Sequence, residues 1–425
     1  MVIITARPEC LSGELNVPGD KSITHRALLI GALARGITEV RGFLDAEDCR
    51  STINCLEALG VKINRRANRL FVEGRNMKLK EPEQVLNASN SGTTARLLLG
   101  ILAGQPFQAV VTGDHSLQKR PMKRIVKPLK LMGSIIEGED DQLPLKIKGS
   151  GLHPINYWTE QASAQVKSAI ILAGLYPAGE TTVVEPCRSR DHTELLLAQF
   201  GAELKIKGRS VSISGRPLLK GSLVRVPGDL SAAAFFIVAA AIVDKSDILL
   251  KNVGINPTRS GILDALTEMG VSLELINRRL WGREPVADIA VKGGSPLKGI
   301  TVSGELIPRL IDEIPVLAVA AAVAEGKTEI KDAAELRVKE TDRISALAGQ
   351  LKRLGVRIEE KKDGMIIEGE SRLVGNDVES CGDHRIAMAL AVAGLAAQGD
   401  TIVHDAEVIG ISFPGFMAAM RSLIN

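Results

Sequence analysis

The sequence predicts a mixed α/β protein built from six copies of one structural unit with the element order βαβαββ. Two recurring patterns predict this repeat. A glycine ends an amphipathic run just before a strand-like stretch at intervals of 73, 68, 69 and 85 residues, at Gly60, Gly133, Gly201, Gly270 and Gly355. A polar cluster also opens a run of small apolar residues six times, near Lys21, Gly92, Gln165, Asp229, Asp312 and Asp383. Regular spacing over tens of residues is typical of repeat architectures.

The first copy, residues 13–74, shows how each element is predicted. Capping residues and glycines mark the helix ends, and alternating apolar residues mark the strands. The elements in order are a strand ending at Pro18-Gly19, a helix capped by Asp20 and ended by Gly36, a strand at 38–40, an amphipathic helix from Asp45 or Asp48 to Leu59, and a hairpin of 61–63 and 70–72.

The first helix of each copy is apolar nearly all round and rich in small residues, which is typical of a buried helix with close neighbours. The second helix is amphipathic. We therefore expect the first helices inside and the sheets outside, as in an inside-out α/β barrel. Six copies divide most simply into two domains of three, namely residues 18–225, and residues 226–425 with the strand from 1–17. We expect the active-site cleft to lie between these domains.

Composition limits the function. The chain has 425 residues, of which 45% are hydrophobic and 24% charged, as in globular proteins. Its net charge is only +3 and its aromatic content only 3%, which argues against nucleic-acid binding. The five cysteines form no CxxC, so neither disulfides nor a metal site are expected. Apolar runs of about a dozen residues are shorter than the ~20 of a membrane span, and no secretory leader is seen, so we expect a soluble cytoplasmic protein.

The first polar cluster places cations at the start of a buried helix. Lys21 and Ser22 lie in the first turn, and Arg26 lies on the same face as Ser22. The helix dipole disfavours cations there, so they require a counter-anion, and the exposed amide groups favour a bound carboxylate or phosphate. The alternative is a surface salt bridge with Asp20.

The other clusters carry related residues, and each has a structural alternative. Gly92 allows close backbone approach but also suits an ordinary turn. Arg120 precedes a predicted helix, and the charges around it also suit a solvated face. Lys339 and Arg343 are four residues apart, so they would share one face of a helix that starts there. Arg385 has no structural reason to lie at its helix start. The third cluster, with its partner segment, contributes Ser163, Ala164, Gln165 and Arg190.

Two carboxylates, Asp312 and Glu340, lie among these cations. They are candidates for a general base or acid. The fourth cluster, PGDLSAAAF, keeps the frame of the first but has Leu230 in place of lysine, so we interpret it as a structural copy. P-loop, GxGxxG, GxSxG and metal-ligand patterns are not found in the sequence, so a nucleotide cofactor and covalent serine chemistry are unsupported.

The motifs resemble the 3-phosphoshikimate 1-carboxyvinyltransferase family over essentially the whole chain. They occur in the family's order, and RVKETDR together with DHRxAM is highly specific. The matching stretches are LNVPGDKSITHRALLIGALARG, NSGTTARLLLG, KRPM, SAQVKSAIILAGL, RDHTE, RVKETDRI and GDHRIAMA. The resemblance implies transfer of the enolpyruvyl group of phosphoenolpyruvate to the 5-hydroxyl of shikimate 3-phosphate. It also implies a two-domain fold with six βαβαββ units in total, a monomer and no cofactor.

The resemblance also implies roles for individual residues. Asp312 would accept the proton of the attacking hydroxyl, and Glu340 with Lys21 would handle the proton at the methylene carbon. The shikimate 3-phosphate set is Lys21, Ser22, Arg26, Ser163, Ala164, Gln165, Arg190, Asp312 and Lys339. The phosphoenolpyruvate set is Lys21, Gly92, Arg120, Gln165, Arg343 and Arg385.

Several positions depart from the family pattern. Ala164 stands where many relatives have serine, Glu335 where many have asparagine, and Ile411 where many have lysine. These features leave the response to glyphosate open. The nearest alternative is the related transferase acting on UDP-N-acetylglucosamine, which has Lys-Asn where this chain has Lys21-Ser22. A non-catalytic anion-binding scaffold and an RNA-end-processing enzyme are further alternatives.

Overall fold

A computed structural model describes residues 1–149 and 151–424 of the chain. The strands in this part are β1 (Ile3–Thr5), β2 (Ser12–Leu15), β3 (Arg35–Arg41), β4 (Lys62–Arg66), β5 (Arg69–Arg75), β6 (Leu86–Asn87), β7 (Gln108–Thr112), β8 (Ile135–Glu137), β9 (Leu145–Lys148), β10 (Asn156–Trp158), β11 (Glu180–Val184), β12 (Leu204–Lys207), β13 (Ser210–Ser214), β14 (Leu223–Arg225), β15 (Asp247–Gly254), β16 (Ser272–Trp281), β17 (Glu284–Lys292), β18 (Thr301–Val302), β19 (Lys327–Ile330), β20 (Arg357–Lys361), β21 (Gly364–Glu368), β22 (Asp377–Glu379) and β23 (Thr401–His404).

The helices of the same residues are α1 (Lys21–Leu33), α2 (Glu47–Ala58), α3 (Gly92–Leu102), α4 (His115–Gln118), α5 (Lys123–Leu131), α6 (Ala164–Ala173), α7 (His192–Gln199), α8 (Leu230–Ile242), α9 (Gly261–Glu268), α10 (Ile307–Leu310), α11 (Ile314–Val323), α12 (Arg343–Arg353), α13 (His384–Gly394) and α14 (Phe416–Arg421). The mixed α/β class predicted from the sequence is confirmed.

The strands form six sheets with one shared plan. Each sheet begins with a parallel pair, and an antiparallel strand then joins the second member of that pair. The strand orders are β14-β3-β5-β4, β6-β7-β9-β8, β10-β11-β13-β12, β2-β15-β17-β16, β18-β19-β21-β20 and β22-β23-β1. In the last sheet β1 occupies the place that a hairpin strand fills in the others.

The first and fourth copies draw their first strands from outside their own stretches of the chain. β2, which precedes α1, pairs in parallel with β15 and not with β3. β14 takes the corresponding place beside β3, with Val224 opposite Val40. Residues 13–74 therefore do not form a closed unit, in contrast to the interpretation of the first copy. Its other elements match, since Asp20 caps α1 and Gly60 adopts a φ of +80° just beyond α2.

The chain divides into two compact units. The N-terminal unit comprises residues 19–226 and 281–284, and the C-terminal unit comprises 1–18, 227–280 and 285–425. Each has its own continuous apolar core. The buried helices α1, α3 and α6 belong to the N-terminal core, and α8, α11 and α13 belong to the C-terminal core. Barrel closure of either unit stays a prediction.

Small residues allow two of these helices to approach closely. A Cβ atom built on Gly100 of α3 would lie 2.3 Å from the carbonyl oxygen of Ala169 in α6, which is far inside van der Waals contact. Only glycine therefore fits at this crossing. The crossing positions the two helices whose first turns carry Gly92 and Gln165.

Among the described residues, no helix is both long enough and apolar enough to cross a membrane.

Candidate active site

The start of α1 holds two of the predicted cations. Asp20 accepts a hydrogen bond from the amide of Ile23 at 2.8 Å and so caps the helix. The Nζ atom of Lys21 lies 2.9 Å from Oδ2 of Asp48 in the first turn of α2, and both side chains are mostly buried. The sequence did not indicate Asp48 as the partner. This ion pair supplies part of the negative charge that a lysine at a helix start requires.

Arg26 lies one turn further along α1 and is 3% exposed. Its guanidinium donates to Oγ1 of Thr193 at 2.7 Å, to Oγ of Ser168 at 3.0 Å and to the carbonyl of Ser22 at 3.1 Å. These acceptors are neutral. Burial lowers the pKa of Arg26 to about 10, and Arg190 acts in the same direction while Glu194 and Glu284 oppose it. Arg26 thus keeps a charge that a bound anion would stabilise.

A chain of buried polar groups links the starts of α1, α2 and α3. His25 Nδ1 lies 2.7 Å from Oγ1 of Thr52, which lies 2.7 Å from Oγ1 of Thr94. Thr94 Oγ1 donates to Oγ of Ser91 at 2.7 Å, and Ser91 caps α3. Burial lowers the pKa of His25 to about 3, so the imidazole is neutral at physiological pH. The chain fixes the three helix starts without adding a charge.

Gln165 at the start of α6 is held against the start of α3. Its Nε2 donates to Oγ1 of Thr93 at 3.0 Å, and its Oε1 accepts a short hydrogen bond from Arg96 Nη1. A Cβ on Gly92 would lie 3.3 Å from Arg96 Nη1 and 3.5 Å from Arg120 Nη1. The backbone of Gly92 and two guanidinium groups therefore lie together, an arrangement suited to a phosphate or carboxylate.

The remaining predicted residues of this unit lie close by, though not all at helix starts. Arg120 lies in the turn before α5 and donates a hydrogen bond of 3.0 Å to Oδ1 of Asn90. It is therefore near the predicted helix start but not at it. Ser163 caps α6, and Ala164 is the first residue of that helix. Arg190 is half-buried and lies two residues before α7.

In the C-terminal unit, three cations converge on Asp312. Its Oδ1 lies 3.4 Å from Arg343 Nη1 and 3.7 Å from Lys339 Nζ, and its Oδ2 lies 4.0 Å from Arg385 Nη2. Arg385 also donates to the carbonyl of Asp312 at 3.0 Å. The inference that Arg385 has no structural reason to lie at the start of α13 was therefore wrong, since it braces the segment that carries Asp312.

Arg343 is 1% exposed and is held by carboxylates. Its Nε lies 2.7 Å from Oδ2 of Asp383, and its Nη2 donates to Glu340. Burial by itself would lower the pKa of Arg343, but the charges of Asp383, Glu340 and Asp312 raise it above its usual value. Asp383 is fully buried and also caps α13 through the amides of Arg385 and Ile386.

Lys339 and Glu340 lie just before α12, which begins at Arg343. The predicted shared helical face of Lys339 and Arg343 is therefore wrong, yet both reach Asp312. Lys339 Nζ also lies 3.5 Å from Oε1 of Glu335, one of the departures from the family pattern. Glu335 thus brings an additional negative charge to this cation.

The structure brings the predicted residues together in two sets. The N-terminal unit holds Lys21, Ser22, Arg26, Gly92, Arg120, Ser163, Ala164, Gln165 and Arg190, and the C-terminal unit holds Asp312, Lys339, Glu340, Arg343 and Arg385. Sequence reasoning missed Asp48, Arg96 and Asp383. Arg96 was visible at the end of the second polar cluster, four residues from Gly92 and so on the same helical face. The sequence marks Asp48 only as a possible helix start and Asp383 only as the position of the sixth polar cluster.

Groups of three or more His, Cys, Asp or Glu side chains poised for a metal are absent from the described residues. The fourth copy contains its own charged cluster. Arg259 Nη2 lies 2.9 Å from Oδ1 of Asp229, which caps α8. This pair braces a helix start, as expected of a structural copy.

Comparison with known proteins identifies the family. The family model of EPSP synthase (3-phosphoshikimate 1-carboxyvinyltransferase) matches residues 5–420. A relative from Desulforamulus reducens named 3-phosphoshikimate 1-carboxyvinyltransferase is 53% identical over 418 residues, which is 97% of both chains. One of the same name from Pelotomaculum thermopropionicum is 54% identical over 410 residues, covering 96% of this chain and 95% of the relative.

A solved EPSP synthase from Acinetobacter baumannii has the same fold. It superposes with a TM-score of 0.89 at 45% sequence identity, and the match covers 99% of this chain and 98% of that structure. The resemblance noted in the sequence motifs is thus confirmed over the length of the chain, and this protein belongs to the EPSP synthase family.

Proposed function

We propose that this protein transfers the enolpyruvyl group of phosphoenolpyruvate to the 5-hydroxyl of shikimate 3-phosphate and releases phosphate. The convergence of Arg343, Lys339 and Arg385 on the carboxylate of Asp312 carries this proposal. A purely anion-binding scaffold gains nothing from that carboxylate, because it opposes an incoming anion. An acid–base reaction on polyanionic substrates needs both kinds of group.

Shikimate 3-phosphate is assigned to residues of both sets. Arg26 and Arg190 supply positive charge for its phosphate, since the guanidinium of Arg26 is bonded only to neutral acceptors. Lys339 and Asp312 would address its hydroxyl groups. The complete assignment is Lys21, Ser22, Arg26, Ser163, Ala164, Gln165, Arg190, Asp312 and Lys339.

Phosphoenolpyruvate is assigned to the arginine-rich positions. The open backbone of Gly92 and the guanidinium groups of Arg96 and Arg120 suit one anionic end of this substrate. The complete assignment is Lys21, Gly92, Arg96, Arg120, Gln165, Arg343 and Arg385. Ile411, where many relatives have lysine, supplies no charge, so we expect these arginines to hold the leaving phosphate.

The reaction proceeds by addition and elimination. Asp312 accepts the proton of the 5-hydroxyl as its oxygen bonds to C2 of phosphoenolpyruvate, and a proton is added to C3 to make a methyl group. The tetrahedral adduct then loses phosphate from C2 and a proton from C3, which restores the methylene. We assign the proton transfers at C3 to Glu340 and Lys21. The guanidinium groups stabilise the charge of the departing phosphate.

A phosphate-release assay tests the proposal. With phosphoenolpyruvate present, adding shikimate 3-phosphate should release phosphate, whereas adding UDP-N-acetylglucosamine should not. Release only with UDP-N-acetylglucosamine would replace the proposed acceptor, and release with neither would overturn the activity. Mass spectrometry of the product should show the enolpyruvyl ether.

We further propose that the chain works in the cytoplasm as a monomer without a cofactor. The described residues contain no disulfide, which suits a reducing compartment. Light scattering coupled to size exclusion should give a mass near 45.4 kDa, and activity should survive treatment with a chelator.

A further inference from the structure

A lysine in the first turn of α6 is completely buried. Lys167 is 1% exposed, and its Nζ lies 2.9 Å from Oε2 of Glu185 and 2.8 Å from Oε1 of Glu194. It also donates to the carbonyl of Ser189 at 3.1 Å. The ammonium nitrogen thus lies within 3.1 Å of three oxygen atoms, two of which belong to carboxylates. A buried ammonium is costly unless it is paired this completely, and apolar replacements are often at least as stable. Its presence therefore points to a role beyond stability.

Glu185 connects Lys167 to two segments of the proposed substrate site. Its Oε1 accepts from the amide of Ser163 at 3.1 Å and from the hydroxyl of Ser189 at 2.6 Å. Its Oε2 accepts from the amide of Ser189 at 3.3 Å. One carboxylate therefore joins the cap of α6 to the residue immediately before Arg190.

The chain neighbours of Lys167 and Glu194 hold a third element of the site. Ser168 follows Lys167, and Thr193 precedes Glu194. Their hydroxyls lie 2.6 Å apart, and both accept hydrogen bonds from the guanidinium of Arg26. The ion pair of Lys167 with Glu194 thus joins the starts of α6 and α7, and the neighbouring hydroxyls of both helices bind Arg26.

We propose that Lys167, Glu185 and Glu194 form a positioning cluster that presets Arg26, Ser163 and Arg190 for the phosphate of shikimate 3-phosphate. This inference rests on the proposed function. The three side chains are too deeply buried to contact the substrate, so they act through the residues they hold. Burial raises the pKa of Glu194, and the charge of Lys167 beside it opposes that effect.

The buried carboxylates also help the site to hold two arginines before any ligand binds. Arg190 lies close enough to Arg26 to lower its pKa, and Glu194 acts in the opposite direction. A buried negative charge behind two adjacent guanidinium groups reduces their mutual repulsion. The arginines can then be arranged in advance, which reduces the reorganisation that binding requires.

The variant Glu185→Gln tests the cluster with little change in volume. The glutamine side chain keeps one acceptor oxygen. Its NH2 group replaces the oxygen that lies against Lys167 and accepts from the backbone amide of Ser189. In the phosphate-release assay we expect KM for shikimate 3-phosphate to rise about tenfold, because the arginines shift from their preset positions. We expect kcat at saturation and KM for phosphoenolpyruvate to change by less than about twofold.

The matched control is Tyr176→Phe. Tyr176 lies just beyond the other end of α6, where its hydroxyl accepts a partly buried hydrogen bond from Gln105 at 2.6 Å. This variant loses that hydrogen bond in the same unit but should leave both KM values unchanged. If Glu185→Gln behaves like Tyr176→Phe, with altered stability and unaltered KM for shikimate 3-phosphate, the positioning role is overturned.

A second variant covers the case in which Glu185→Gln does not fold. The double substitution Lys167→Met with Glu194→Gln removes the ion pair that joins the start of α6 to the start of α7, and it leaves Glu185 in place. Calorimetry should show shikimate 3-phosphate binding weakened about tenfold. Unchanged affinity in the folded double variant would contradict the inference. Failure of the unaltered protein to release phosphate would overturn the proposed function, whereas failure of the variants to lose affinity would overturn the positioning cluster alone.

Discussion

Arg26 of the N-terminal unit and Arg343 of the C-terminal unit are both buried guanidinium groups, yet their surroundings differ in charge. Arg26 is bonded to two hydroxyls and a carbonyl, and its pKa is lowered to about 10. Arg343 contacts three carboxylates, and its pKa is raised. The N-terminal set therefore retains positive charge for an anion, while the C-terminal set uses its charge to order carboxylates. This difference distinguishes a guanidinium whose charge is left for a ligand from one whose charge is already paired with carboxylates.

Substituting Arg26 and Arg343 in turn tests most directly whether their surroundings differ in charge. Arg343→Met leaves the buried Asp383 without its cation, so we expect a loss of about 3–5 kcal/mol in the free energy of unfolding. Arg26→Met leaves only two hydroxyls, which already bond to each other, so we expect a loss of about 1 kcal/mol. Urea unfolding measures both. Equal losses would show that the two groups are not electrostatically different.

Removing the central carboxylate should affect turnover and not binding. Asp312→Ala should lower kcat by about 10²-fold or more while shikimate 3-phosphate affinity stays within roughly tenfold, because the neighbouring cations remain. Steady-state kinetics and calorimetry separate these effects. Glu305→Ala, at an exposed acidic position of the same unit, is the control and should leave kcat unchanged. Unchanged turnover in Asp312→Ala would exclude Asp312 as the base.

The N-terminal set depends on helix packing, which Gly100→Ala tests. The added methyl would press on the carbonyl of Ala169 and separate α3 from α6, at a cost of about 1–3 kcal/mol. KM for phosphoenolpyruvate should also rise, since Arg96 and Gln165 would move apart. Gly349→Ala in α12 is the matched control, because its Cβ would meet open space and alanine favours the helix by about 0.5–1 kcal/mol. Thermal unfolding of both variants should shift in opposite directions.

The smallest effect concerns the neutral His25. Its pKa is about 3 in the folded protein and 6.5 when unfolded, so the unfolded chain binds more protons below pH 6.5. Its contribution to stability is complete above pH 6.5 and is lost as pH falls towards 3, at up to about 1.4 kcal/mol per pH unit.

Urea unfolding at pH 7 and pH 5 measures this dependence. His25→Gln should flatten the pH dependence by about 2 kcal/mol over that interval. His115→Gln, at an exposed position, should leave it as in the unaltered protein. A steep dependence that persists in His25→Gln would assign the acid sensitivity to another group.

Local signals in the sequence predicted the helices well, and the site residues stay a prediction. Asp20, Gly60 and the polar clusters have physical effects within a few residues, so the start of α1 and the end of α2 could be located in advance. The pairing of Lys21 with Asp48 and of Arg96 with Gln165 could not, because it depends on which helix starts become neighbours. The same limit applies to the partner of β2, although the strand from residues 1–17 was expected to lie with residues 226–425, since strand partners far apart in sequence leave no local pattern.

The placement of β1 and β2 bears on how the chain folds during synthesis. β1 pairs with β23, with Ile3 opposite Val403, and β2 pairs with β15. Neither strand can pair until its partner has been synthesised. Residues 19–226 can pair their own strands much earlier. We therefore expect the N-terminal unit to fold on the ribosome first, while the segment of β1 remains unpaired until almost the whole chain has emerged. Until then, that segment is an open strand edge available to chaperones.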